Sequence, residues 1–164
     1  MKGMYALEGG LAGAVALTLI SETVKRAIPH APRVDLLGMN ALSKGLKIIG
    51  ARKPEDRKLY TWALAGDLIS NAAYYSIAGI GKKDNALLRG AALGFGAGLG
   101  AVLLPKPLGL KDHYTDRTLS TRVLTVGLYV AGGIIAAAVM KWADKKKQRS
   151  NQDWEQRLMT SSMA

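Results

Sequence analysis

The chain has 164 residues, enough for one domain and too few for two ordinary ones. It has no cysteine, which excludes disulfides, iron–sulfur clusters, thiolate zinc sites and cysteine nucleophiles. Its net charge of +11 is placed for anionic lipid headgroups and not for nucleic acid, because Lys141, Lys145, Lys146, Lys147 and Arg149 directly follow an apolar block.

The first apolar block, about 5–24, carries Leu11, Val15, Leu17, Leu19 and Ile20 among small residues. At 1.5 Å per residue its length matches the roughly 30 Å hydrocarbon core of a bilayer. Glu8 interrupts it early and no small-x-small site follows, so it reads as a retained spanning helix and not as a cleaved leader. Pro29 and Pro32 then halt the helix. In the segment 33–50, Val34, Leu37, Ala41, Leu42, Ile48 and Ile49 share a face that Gly38 and Gly45 interrupt. Asp35, Asn40, Lys44 and Lys47 hold the other face. This pattern predicts an amphipathic helix, too polar to span, lying flat at the membrane interface. Arg33, Lys44, Lys47, Arg52 and Lys53 are its expected headgroup contacts. The alternative is a helix packed on the loops of the bundle.

Lys53-Pro54-Glu55-Asp56 reads as a helix start, with proline in the first turn. A second span, 59–80, follows with Tyr60 and Trp62 as interfacial anchors, and Gly81–Asn85 makes a polar turn. The third span, 86–104, places Gly90, Gly94 and Gly98 four apart on one face, with Gly96 and Gly100 on a neighbouring stripe. Glycine weakens a helix, so this pattern predicts close approach of another helix. Pro105 and Pro107 end it. The loop to Ser120 contains Asp112, His113 and Asp116, which read as a solvated turn and not as a metal site, since no second histidine is near. The fourth span, 121–142, precedes a basic polar tail, 143–164. The expected architecture is an all-α polytopic membrane bundle of about four transmembrane helices plus one interfacial amphipathic helix, and no cofactor is implied. Thirteen Lys and Arg residues fall on one side of such a bundle, nine between Lys25 and Lys58 and four from Lys106 to Arg122. The other side has nine, so the charge rule leaves orientation open.

Ionisable residues inside spans are costly, and function is sought there first. Glu8 and Arg89 fall at similar depth on one side and are expected to form a structural ion pair. Glu22 lies near Lys25 and Arg26 at the opposite end of its helix. Asp67 is close to the middle of the second span, with Ser70, Asn71 and Tyr74 along the same face. A carboxyl group at that depth is expected to be neutral, hydrated or bound to a cation. The spacing of His30 and Asp35 resembles that of some glycerolipid acyltransferases, but one pair in a proline-rich segment reads as coincidence. Three functional classes follow. The first is a non-enzymatic component of a membrane assembly, with the bilayer, other subunits or itself as partners, in a bacterial inner membrane. The second is an oligomeric proton or cation transporter that uses Asp67. The weakest is a lipid-acting enzyme built on His30 and Asp35.

Overall fold

In the computed structural model, which describes residues 3–162, five helices follow one another and no strand forms among the described residues. They are α1 (Gly3–Ala27), α2 (Val34–Ile48), α3 (Asp56–Ser76), α4 (Ala86–Leu103) and α5 (Leu119–Ser162). Short 3₁₀ turns at Ile77–Gly79, Lys83–Asn85 and Asp112–Tyr114 lie in the connections. Three of the helical segments, Gly3–Ala27, Lys83–Leu103 and Leu119–Trp154, are long and apolar enough to cross a membrane. Around the bundle, large apolar side chains such as Leu7, Leu19, Ile69, Leu88, Phe95 and Val123 face outward. An outer surface of that kind suits a lipid solvent and not water.

Small residues decide how the helices meet. A Cβ added at Gly13 of α1 would stand 2.6 Å from Ala136 Cβ of α5, and one at Gly10 would run into Ala72 O and Ser76 of α3. On α4, a Cβ at Gly94 would fall 2.6 Å from Val130 Cα, and one at Gly98 would fall 2.7 Å from Val126 Cα. Backbones touch directly at these crossings, which is how helices associate where lipid removes the usual hydrophobic drive. The order across the bundle is therefore α4, α5, α1, α3, with α5 and α1 in the middle. Tyr75, Leu128, Tyr129, Ala136 and Met140 fill the interior.

The ends of this row, α3 and α4, scarcely touch each other. They are joined at one end by the short 77–85 connection and splay apart toward the other. Tyr74 Oη donates to Leu93 O at 3.1 Å and holds them together near the narrow end. At the wide end α2 packs on α3 and on the loop after α4, where Asn40 Oδ1 accepts from Lys111 N at 3.0 Å.

Three expectations are corrected. The helix expected from the Lys53–Asp56 stretch begins at Asp56, so Pro54 precedes it and is not in its first turn. The tail expected from 143 onward continues α5 as helix to Ser162, because no glycine or proline stops it and lysine, glutamine and arginine are good helix formers. At 44 residues α5 is about 66 Å long, roughly twice the thickness of a hydrocarbon core. The Glu8–Arg89 ion pair does not form: Glu8 is exposed, and Arg89 donates instead to Ala78 O at 3.1 Å and Lys82 O at 2.8 Å. Those carbonyls belong to the 77–85 connection, outside α3, and the bonds tie that connection to α4.

Candidate functional site

The splay of α3 from α4 creates an open groove of about 480 Å³. One wall is the polar stripe Asp67, Ser70, Asn71 and Tyr74, and the other is the small-residue face Gly96, Ala97, Gly100 and Ala101. Val34, Leu37, Gly38 and Ala41 of α2 close the wide end, and Tyr129 of α5 lies at the base. The helical spacing 67, 71, 74 aligns the stripe on one face of α3.

Along that stripe, Asn71 Nδ2 donates to Asp67 Oδ1 at 2.9 Å and is itself buried. Ser70 Oγ donates to Asp67 O at 3.1 Å, within its own helix, and remains exposed. No cation among the described residues pairs with Asp67.

Asp67 also lines a second, much narrower crevice of about 30 Å³, together with Leu17, Thr18, Ser21, Glu22 and Asp35. That volume accommodates a water or two. Thr18 Oγ1 lies in its wall, buried and with no hydrogen-bond partner among the described residues. At the far end Lys25 bridges Glu22 and Asp35, its Nζ standing 3.2 Å from Asp35 Oδ2. Tyr60 Oη reaches Glu22 Oε1 at 3.3 Å. Arg33 grips Asp35 with two bonds of 3.0 Å. Partial burial alone would raise the pKa of Asp35, but the hydrogen bonds and charges of Arg33 and Lys25 outweigh it and hold the carboxyl below its ordinary value.

Thus the crevice links mid-bundle Asp67 to a charged cluster at the helix ends. Sequence spacing does not show this link, because it arises only when α1, α2 and α3 converge. The available clue is the pairing of Glu22 and Asp35 around one lysine. The three buried threonines of the α4–α5 loop and α5 were likewise missed. Thr115 Oγ1 donates to Ala101 O at 2.6 Å, Thr121 Oγ1 to His30 O at 2.9 Å and Thr125 Oγ1 to Thr121 O at 2.7 Å.

The remaining sequence candidates disperse. Gly90, Gly94 and Gly98 face α5 and not the groove. Of the five expected headgroup contacts, Arg33 is held by Asp35, Lys44 donates to Leu108 O and Gly109 O, and Lys53 pairs with Asp56 at 2.9 Å. Lys47 and Arg52 are exposed and make no ion pair among the described residues. Asp35 is committed to Arg33 and Lys25, so it forms no pair with His30. Asp116 is taken by Arg122, and among the described residues no group of three or more His, Asp or Glu could hold a metal ion. No protein-family profile, curated protein or solved structure matches the chain.

Proposed function

We propose that the protein is a non-enzymatic component of a membrane assembly, and that its groove receives a transmembrane helix of another subunit or of a second copy. The observation that carries this reading is the pairing of the groove's two walls. In a four-span bundle, Asp67 and the exposed Ser70 would look onto lipid across the groove, and polar groups are costly in hydrocarbon unless they are covered. Opposite them, Gly96 is exposed, and a Cβ there would meet only Tyr74 Oη at 3.4 Å. A small-residue face with room in front of it lets an incoming backbone approach closely, and the polar stripe offers that helix hydrogen-bond partners.

The reading treats α3 as the fourth crossing. Its polar stripe lowers its average apolarity, yet it lies antiparallel along α1 from Gly10 beside Ser76 to Glu22 beside Tyr60. Its 21 residues extend about 31 Å, enough to cross beside α1.

The test is the native mass of the gently solubilised protein and of its Gly96→Leu variant. The wild type is expected to travel as an oligomer or with reproducible partners. The variant should fold normally but travel as a protomer. A wild-type protein that is already monomeric and partner-free sinks this reading.

A second reading has one specific observation behind it, the crevice that joins Asp67 to Glu22 and Asp35. With the groove on its other side, Asp67 lies between two openings, the arrangement a proton or cation path needs. Flux into proteoliposomes carrying the wild-type protein, lost on Asp67→Asn, supports it. Identical flux in the two removes it.

A further inference from the structure

On the same side of the bundle as α2, the 28–33 and 104–118 connections form a pocket that none of the foregoing uses. It encloses about 490 Å³. His30 and Arg33 enter it from the first connection, and His113 and Arg117 from the second. Its walls contain no carboxylate. Of the nearby acids, Asp116 holds Arg122 and Asp112 is not part of the lining, while Asp35, also outside the lining, holds the pocket's own Arg33 and leaves Arg117 as its uncommitted guanidinium. Arg117 is exposed and makes no ion pair among the described residues.

Two backbone links join the connections that carry these side chains. Arg33 N donates to Tyr114 O at 2.8 Å, and Thr121 Oγ1 donates to His30 O at 2.9 Å. The second link holds His30 at a positive φ of 61°, a conformation that side chains larger than glycine adopt rarely. The two histidines, Arg117 and the Asp35-bound Arg33 are thus gathered by the fold and not scattered along a flexible loop. Ala31 and Leu36 add an apolar edge. The start of α5 is adjacent, and its positive dipole end favours an anion there.

We infer that this pocket binds the phosphate group of an anionic membrane lipid. Guanidinium groups match phosphate oxygens in geometry as well as charge. The lipid is favoured as the source by location. The pocket lies where α1 and α4 end and α5 begins, the headgroup level if those helices cross a bilayer. The inference therefore rests on the membrane-crossing reading. That reading is checked separately by whether the protein stays with membranes in alkaline carbonate.

The experiment uses delipidated full-length protein in detergent, mixed with equal amounts of phosphatidylglycerol and phosphatidylcholine. Native mass spectrometry then counts the lipids retained. Wild type is expected to keep phosphatidylglycerol in preference. Arg117→Gln should cut that preference roughly five- to tenfold, as expected for one headgroup-facing charge. Arg117→Lys should restore part of it, and Lys58→Gln, an exposed lysine outside the pocket, should leave it unchanged. If Arg117→Gln lowers the melting temperature, His30→Asn is read in its place, since asparagine tolerates a positive φ. Equal retention of the two lipids, or equal loss in Lys58→Gln, overturns the pocket while leaving the membrane reading intact. Inorganic phosphate binding at the same affinity as phosphatidylglycerol overturns the lipid as its source.

Discussion

Helix α4 carries glycines on two faces that do different work. Gly90, Gly94 and Gly98 lie against the backbone of α5, and no side chain fits at any of them without moving that helix. Gly96 and Gly100, one step round the same helix, face the groove, where a Cβ would meet only Tyr74 Oη at 3.4 Å or Leu104 Cδ1 at 3.5 Å. Identical residues at identical spacing thus serve a contact already made in one case and leave a space open in the other. A small-residue stripe reports that a helix is able to approach, and only the fold shows whether one has already done so.

The largest effect that sharpens this comparison is expected at the closed face. Gly94→Leu should drive a side chain into the Tyr129–Val130 backbone, where no flexible side chain is available to move aside. Overpacking usually costs about 1–3 kcal/mol, and a rigid obstacle places this variant at or above the top of that range. Lower expression and a lower melting temperature in detergent are the readouts. A wild-type melting curve would show that α4 and α5 do not meet at this crossing. At the open face, Gly100→Leu should leave melting unchanged or slightly raised, because leucine is the better helix former by roughly 0.5–1 kcal/mol. Equal destabilisation at Gly94 and Gly100 would erase the distinction between the faces.

How much of this was legible beforehand varied with the physical signal. The ends of α1 and α4 were readable because prolines at 29, 32, 105 and 107 punctuate the chain. The far end of α5 was not, since a change from apolar to basic residues ends a span without ending a helix. Asp67, Ser70, Asn71 and Tyr74 were aligned by helical periodicity alone, and they do line one wall. The Glu8–Arg89 pairing went astray because depth in a helix gives no information on direction around its axis. The crevice to Glu22 and Asp35 was invisible because it belongs to no single helix. The same holds for the basic pocket, whose side chains come from two connections far apart in sequence, 28–33 and 104–118.

An intermediate effect is expected at the narrow end of the splay, where Arg89 ties the α3–α4 connection by its two bonds to Ala78 O and Lys82 O. Hydrogen bonds from a charged donor contribute about 1.5–3 kcal/mol when buried, and solvent access to this half-buried side chain reduces that to about 1–2 kcal/mol for the pair. Arg89→Gln should lower the melting temperature correspondingly. Hydrogen exchange should rise at residues 77–85 before it rises in α4 itself. Uniform loosening of the whole chain would mean that the connection does not set the splay.

The smallest effect concerns the wide end, where Asp35 is held between Arg33 and Lys25. Its pKa is lowered in the folded state from the ordinary 3.8, so the folded protein binds the proton less readily than the unfolded chain does. The sign follows by linkage: this stabilisation is present in full above the unfolded value and is lost as pH falls through the lower, folded one. Wild-type stability should therefore be insensitive to Asp35 from neutral pH down to about 5, and should decline below about 4. Asp35→Asn should be less stable at neutral pH and should show a shallower acid decline. Melting curves of both proteins in the same detergent between pH 3 and pH 7 decide it. Parallel acid limbs would place the sensitivity on other carboxyls and remove Asp35 as the clasp between α1 and α2. A shallower limb in the variant would confirm that charge holds the wide end of the groove, in contrast to the closed face of α4, where backbone lies against backbone.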